Sequence, residues 1–319
     1  MNSAARRCVI GVEIGGTKLQ AALGSSDGAI AHVARGSVQR EAGAAGILAW
    51  IEEALRGLLA AHPECAPEAI GVGFGGPVDS ATGQVLVSHQ IAGWEDVALK
   101  SWFETRFGLP AVVANDANAA GWAEFCLGAG RGVRQFFYMN IGSGIGGALV
   151  VDGRLYDGQG RGAGEIGHTY VPDWTAAPGA ADKLENLCSG WSIERRLRQS
   201  VLVPNTPLWE LCEGQPERLS CPMLGEAARL GDAFALEEIG QVARAAGLAL
   251  TNVITLFHPE RIALGGGVPL MGDVLLQPLK EYVDTHVFGP YRGRYAILPC
   301  GLAESVVVVG ALLLAAEAG

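Results

Sequence analysis

The run Asn140-Ile-Gly-Ser-Gly-Ile-Gly-Gly-Ala-Leu-Val-Val-Asp-Gly-Arg154 decides the fold. Gly142, Ser143, Gly144, Gly146 and Gly147 leave the backbone nearly bare, which permits close approach of a ligand and positive φ where a tight tip needs it. Successive N–H groups in such a tip suit phosphate oxygens. Ala148 to Val151 then run as a strand into Asp152-Gly153, a strong two-residue hairpin signal. A little further on, Gly164-Glu165-Ile166-Gly167-His168 sets a carboxylate and an imidazole three residues apart. A phosphate cradle followed by a polar pair fits a site where a phosphate meets a hydroxylated molecule.

The same pattern occurs earlier. Cys8 to Gly24 reads strand, glycine tip, strand, with Glu13 ending the first strand and Gly15-Gly16-Thr17-Lys18 forming the tip. Asp27-Gly28 turns the chain into a third strand over 30–37. Ile14-Gly15 aligns with Ile141-Gly142 at an offset of 127 residues (141 − 14). Self-similarity of this kind predicts two similar lobes, here with a nucleotide between them. Two unrelated tight hairpins are the bland alternative; matching tips, one carrying Lys and Glu, favour the functional one.

Composition narrows the class. The 319 residues allow two domains, and 49% apolar content supplies a sizeable core. A net charge of −10 argues against a nucleic-acid face, which needs clustered Lys and Arg. Seven scattered cysteines without a C-x-x-C pair suit a reducing compartment. Arg6 and Arg7 precede an apolar run that Glu13 interrupts, a poor signal peptide. The apolar stretch 306–316 is too short to span a bilayer. These features predict a soluble, cytoplasmic chain without a membrane partner.

Between the tips, apolar spacing predicts a helix over 41–62, ended by Pro63. A strand over 69–76 then runs into the turn Pro77-Val78-Asp79, its glycines serving either packing or close contact with a sugar. The loop 85–94 holds Ser88, His89 and Trp94; the last reads as a packing residue. A short helix with Trp102 and Phe103 closes at Gly108, and a strand over 109–114 follows. Asn115-Asp116-Ala117-Asn118 then stands where that strand meets a helix over 119–127. Ligand chemistry gathers at such elbows in open α/β sheets, although Asn and Asp are also favoured helix caps. Past His168, residues 169–181 read as a loop and 200–222 as irregular. Ala233 to Phe257 reads as a long apolar helix, central or interfacial. Arg261 to Val268 is a strand ending in Gly265-Gly266-Gly267, a packing turn or a shelf for a flat ring. A last strand falls within 289–298, and Gly310 opens a terminal helix that returns to the first lobe.

Taken in order, Glu13-Ile-Gly-Gly-Thr-Lys18, Gly75-Gly-Pro-Val78, Gly93-Trp94, Asn115-Asp-Ala-Asn118, Ile141-Gly-Ser-Gly-Ile-Gly-Gly147, Glu165-Ile-Gly-His168, Leu184-Glu185 and Gly265-Gly-Gly267 resemble the ROK sugar kinases, within the actin- and hexokinase-like ATPase superfamily. The resemblance spans nearly the whole chain. It implies a duplicated actin-like, ribonuclease H-like α/β fold with a cleft between two lobes, 1–120 plus 302–319 and 121–301. It implies ATP-dependent, Mg²⁺-assisted phosphorylation of a hexose hydroxyl, the 6-hydroxyl of glucose being the modal case. Asp116 would be the catalytic base. Gly75, Asn115, Asp116, Glu165, His168 and Glu185 would bind the sugar. Gly15, Gly16, Thr17, Lys18, Gly142 and Ser143 would hold the phosphates, and Gly265, Gly266 and Gly267 would border the adenosine. Glu13, where the family more often has Asp, would hold Mg²⁺ through water. The resemblance also implies a homodimer or tetramer.

One departure matters. Many family members carry three cysteines in a C-x-C-G-x-x-G-C loop before the residue matching Glu185, and these bind structural zinc with the histidine matching His168. Residues 169–187 contain no cysteine, Lys183 stands at the third cysteine position, and Cys188 is out of register. One thiolate and one imidazole do not close a four-ligand site, so no zinc site is expected there, and the second nitrogen of His168 needs another partner. The rival functions are a sugar-responsive regulator and a non-catalytic sugar-binding protein. About seven residues precede Cys8, too few for a helix-turn-helix, and Asp116, Lys18 and both tips speak for catalysis. Fructose, mannose or an N-acetylhexosamine as acceptor, and polyphosphate as donor, stay open.

Overall fold

The computed structural model describes residues 7–88, 91–160, 162–174 and 176–318; His89 lies outside them. Two five-stranded sheets carry the chain, and both are wound the same way. The first contains β1 (Cys8–Ile14), β2 (Lys18–Ser25), β3 (Ile30–Ser37), β4 (Ile70–Phe74) and β7 (Ala111–Asn115), in the order β3-β2-β1-β4-β7. The second contains β8 (Phe136–Ile141), β9 (Ile145–Val151), β10 (Arg154–Leu155), β13 (Arg261–Gly265) and β14 (Ala296–Pro299), in the order β10-β9-β8-β13-β14. In each, three strands meander and two more join parallel beyond the first. This is the repeat read from the glycine tips, and it makes the molecule the expected mixed α/β duplication. Asp152 and Gly153 both take positive φ (52° and 76°), as a tight two-residue turn demands.

By backbone contacts the chain divides into two compact units. One comprises Met1–Gly132, Ala148–Ala163 and Gly301–Gly319; the other comprises Val133–Gly147 and Gly164–Cys300.

In the first unit, α1 (Gly43–Ala61) buries Ile47, Ile51 and Leu55, one stripe at helical spacing, in one core with Leu19, Ala21 and Leu23 of β2. The helix α2 (Leu99–Phe107) adds Leu99 and Phe103 to that core and ends at Gly108 in the left-handed region. Trp94 is fully buried there, edge-on to Phe74. A small ribbon, β5 (Val78–Asp79) with β6 (Gln84–Val85), lies between β4 and α2. The opposite face is covered by α3 (Asp116–Leu127) and α10 (Val306–Ala315). The terminal helix does return to this unit, but Gly310 does not open it; Val306 does, and Gly310 sits at the crossing with α3. A Cβ on Gly310 would fall 1.9 Å from the Ala119 carbonyl oxygen, and one on Gly71 of β4 1.8 Å from that of Ala311. Missing side chains let strand, helix and helix pack backbone to backbone.

The second unit adds β11 (Tyr170–Pro172), β12 (Ala181–Lys183), α4 (Leu184–Cys188), α5 (Gly190–Gln199), α6 (Pro207–Leu211), α7 (Cys221–Arg229), α8 (Ala233–Phe257) and α9 (Asp273–His286). Residues 169–181 are therefore not simply a loop: β11 and β12 pair antiparallel around the Pro- and Gly-rich turn. Nor is 200–222 wholly irregular. Pro207 opens α6 and Pro222 lies in the first turn of α7, positions where proline's missing N–H costs nothing. The helix α8 has the expected bounds and packs against α4, α7 and α9. It, rather than the stretch 306–316, is long and apolar enough to cross a bilayer by length and composition, and 61% of the qualifying window is buried inside the protein.

Candidate active site

Three parallel strands of the first unit end level with one another: Ile14 pairs with Phe74, and Phe74 with Asn115. The residues that follow, Gly15, Gly75 and Asp116, stand side by side, at the carboxyl edge where such sheets bind ligands. Gly75 N–H donates to the Ile14 carbonyl at 2.8 Å. A Cβ on Gly75 would lie 3.3 Å from Asp116 Oδ2, 3.3 Å from the Ile14 oxygen and 3.5 Å from Gly15 Cα. Bare backbone thus abuts the Asp116 carboxylate. The cap question is settled by Asn115. Its Oδ1 accepts from the N–H of Ala117 (2.8 Å) and Asn118 (3.3 Å), while its Nδ2 donates to the Gly76 carbonyl (3.0 Å). Asp116 Oδ1 also accepts from Ala117 N–H at 2.8 Å, and Oδ2 is the oxygen that faces Gly75.

Glu13, next to the end of β1, is 6% exposed. Its Oε1 lies 3.2 Å from Lys18 Nζ, and its buried Oε2 has no hydrogen-bond partner among the described residues. Burial pushes this carboxyl up to about 7; the Lys18 ammonium pulls the other way, and the Asp116 and Glu304 carboxylates add to the rise. Lys18 also donates to the Glu304 carbonyl at 2.7 Å. In the tip itself, Gly15 N–H is engaged by the Lys18 carbonyl at 3.0 Å.

The second unit assembles a matching set around the other tip. Gly142 N–H donates to the Gly144 carbonyl (2.9 Å), and Gly190 N–H to the Gly142 carbonyl (2.7 Å). Ile145 N–H donates to Glu185 Oε2 at 2.7 Å, and a Cβ on Gly144 would meet that same oxygen at 2.7 Å. Glu185 thus braces the tip with one carboxylate oxygen. The turn Ile166–His168 lies on β9, where a Cβ on Gly167 would come 2.2 Å from the Ile145 carbonyl oxygen. Glu165 and His168 present exposed side chains. Gly266, at φ +88°, packs on Ile141, and nothing lies within 4 Å of a Cβ on Gly267, so the glycine run leaves an open shelf beside the tip.

The structure therefore gathers the expected residues into two sets. Glu13, Gly15, Gly16, Thr17, Lys18, Gly75, Asn115 and Asp116 belong to the first; Gly142, Ser143, Glu165, His168, Glu185 and Gly265 to Gly267 belong to the second. Sequence reasoning missed Lys183 as a partner, whose Nζ lies 3.2 Å from His168 Nδ1. An ammonium has donors and no acceptor, so Nδ1 must present its lone pair and the ring proton must reside on Nε2. The cationic residue in place of a cysteine was the available signal. Glu124 was missed as well. Fully buried on α3, it accepts from the N–H groups of Ala129 (2.9 Å), Gly301 (3.0 Å) and Leu302 (2.7 Å), which fixes the approach to α10. An acid inside the otherwise apolar later turns of that helix was its signal.

Two sheets of one winding, each with a glycine tip at the end of its first strand, define an actin-like ATPase fold. The chain belongs to the ROK family, whose model matches residues 9–318. It is 33% identical to the glucokinase of Streptomyces coelicolor over 318 residues, 97% of each chain, and 32% identical to the glucokinase of Thermotoga maritima over 305 residues, 95% of each. Among solved structures it resembles the ROK family glucokinase of Streptomyces griseus in complex with glucose and AMPPNP, with a TM-score of 0.82 and 32% identity over 97% of this chain and 99% of that one.

Proposed function

We infer that this sugar kinase transfers the γ-phosphoryl group of ATP to the 6-hydroxyl of glucose, with Asp116 taking the proton. The observation that carries the reading is the meeting of Asp116 Oδ2 with the bare backbone of Gly75 and Gly15 at three strand ends. A carboxylate there can accept the proton of an alcohol lying against that backbone, as its oxygen attacks the γ-phosphorus. Phosphoryl transfer asks a protein mainly to position reactants and to stabilise charge, and each set of residues is suited to part of that. With Gly15 N–H engaged, the phosphate donors of the first tip are those of Gly16 and Thr17, supported by Lys18. With Gly142 N–H engaged, those of the second begin at Ser143. Gly265 to Gly267 give the adenosine a flat border.

Glu13 suits a divalent cation: a buried carboxylate with one unpartnered oxygen, beside Asp116 and Glu304 carboxylates. Bound through water at Glu13, Mg²⁺ would neutralise charge on the terminal phosphates. Holding the cation would call for the ionised Glu13 carboxylate, so its binding near neutral pH would release protons. On the sugar side, Asn115 retains an amide N–H beyond its cap and Gly76 bonds, and Glu185 retains its second oxygen. Lys183 holds His168 with Nε2–H outward, a donor for a sugar hydroxyl.

The test is a coupled ATP assay over glucose, fructose, mannose and N-acetylhexosamines. Asp116→Asn should lower kcat by roughly 10²–10⁴-fold while glucose binding by calorimetry persists. An Asp116→Asn enzyme with wild-type kcat would remove Asp116 from the role. A wild type inactive on every sugar, with ATP or polyphosphate, would remove the reaction.

A further inference from the structure

Apart from the residues above, three metal-ligand side chains meet on the first unit. His32 lies on β3, the edge strand of its sheet, and His62 caps the carboxyl end of α1. Their rings stack with centroids 3.3 Å apart and planes 15° from parallel. His62 Nδ1 is 3.3 Å from Glu64 Oε1. One donor atom from each of the three lies within 4.8 Å of the others. The turn that carries Glu64 back towards His62 is closed by Cys65 N–H donating to the His62 carbonyl at 3.0 Å.

We propose that His32, His62 and Glu64 form a binding site for a divalent transition-metal ion of the Zn²⁺ type, with water completing the shell. Two imidazoles and one carboxylate form a donor set for borderline ions; Mg²⁺ and Ca²⁺ favour all-oxygen shells. Bonds of about 2.0–2.2 Å in a tetrahedral shell put donors roughly 3.3–3.5 Å apart. One donor atom of each residue lies within 4.8 Å of the other two; because imidazole lone pairs lie in the ring plane, the stacked rings turn about their side-chain bonds to face one ion. Drawing the three donors onto one ion takes movements of up to about 1.5 Å, which the half-buried imidazoles and the exposed Glu64 side chain supply by bond rotation. A strand and a helix end carry the two rings, so little order is lost on binding. The neighbouring Cys65 is not part of the donor set; it and Cys8 are free thiols, and burial, then Cys65, pushes the Cys8 thiol up to about 11. The bound ion staples β3 to α1.

The experiment uses the full chain, freed of metal with chelator and dialysed against Zn²⁺. One ion per chain should be retained by the wild type, lost in His32→Ala and His62→Ala, and held more weakly by Glu64→Gln. Zn²⁺ should raise Tm by roughly 2–4 °C in the wild type and leave His62→Gln unmoved, with sugar phosphorylation equal in both. Co²⁺ in place of Zn²⁺ should give d–d absorption without a thiolate charge-transfer band. Retention of zinc by the double variant His32→Ala/His62→Ala, a thiolate band with Co²⁺, or no retained metal in the wild type overturns the proposal.

Discussion

Shifted by 127 residues, the first glycine tip lies on the second: Gly15 matches Gly142, Glu13 matches Asn140, and Lys18 matches Ile145. The backbone is used in the same way, since both tips close a hydrogen bond from their first glycine. The side chains are not. The first tip carries its own ion pair, with the acid buried under its strand end. The second is neutral, and its carboxylate comes from Glu185 on α4, bonded to Ile145 N–H. A duplicated fold has thus divided its chemistry. Under the proposed function, the half with its own acid would take the cation, and the half that borrows its acid would leave one oxygen of that acid for a hydroxyl.

The segments between strands differ in the same sense. One helix, α1, fills the span from β3 to β4, whereas a ribbon and five helices fill that from β10 to β13. The longer insertion supplies Glu165, His168 and Glu185, all of the sugar candidates of the second set, together with Lys183 beside His168.

Four substitutions break or sharpen this contrast. Gly310→Ala should have the largest effect, about 3 kcal/mol, because its methyl would meet the Ala119 carbonyl at 1.9 Å. Hydrogen exchange should then show lost protection in β1 and β4 while β8 and β13 keep theirs; uniform protection would mean that the first sheet does not depend on α10. Next, Glu13→Asn makes the first tip a copy of the second. It should lower kcat by about 10²-fold at fixed Mg²⁺ and raise the Mg²⁺ concentration needed for half activity. A pH effect accompanies it. Folded Glu13 keeps its proton to about pH 7, whereas the unfolded chain releases it near the ordinary 4.5. The native state therefore binds more protons in that window, and stability falls as pH rises through it. Urea unfolding at several pH values should show this slope in the wild type and a flatter profile in Glu13→Asn.

Glu185→Gln follows, with a neutral acceptor in place of a charged one at Ile145 N–H. Exchange of that amide should quicken by about 10-fold, a loss near 1.4 kcal/mol. An unchanged rate would mean that the second tip holds itself without α4. Smallest is Gly57→Ala, mid-helix in α1 with open space around its Cβ. It should stabilise the first unit by about 0.5–1 kcal/mol, read as a rise in the urea midpoint with unchanged KM values.

What could be read from the sequence follows from how local each signal is. Glycine tips, Asp-Gly turns and the strand–helix elbow at Asp116 are written in consecutive residues, and so the doubled sheet and most of both sets were legible. The ribbon β11–β12 was not, because its strands are three residues each and the connection between them is rich in Ala, Pro and Gly. No helix was read over 273–286, where Pro278 lies inside α9. Glu124 and Lys183 eluded the reading for another reason: their partners lie 177 and 15 residues away, and only the folded chain brings them together. Asn115, expected at the sugar, also holds the helix start through its side-chain oxygen.

The placement of α10 bears on how the chain is made. The first sheet is complete once Asn115 of β7 has been synthesised, yet the helix that covers its glycine-lined face begins at Val306, 191 residues later (306 − 115). At about 5–20 residues per second, the ribosome needs roughly 10–40 s to supply it. Throughout that interval the nascent sheet exposes Val9 and Ala69, which pack on Leu312 and Ala315 in the finished protein. Translation speed and holdase chaperones should therefore govern the yield of this half more than of the other.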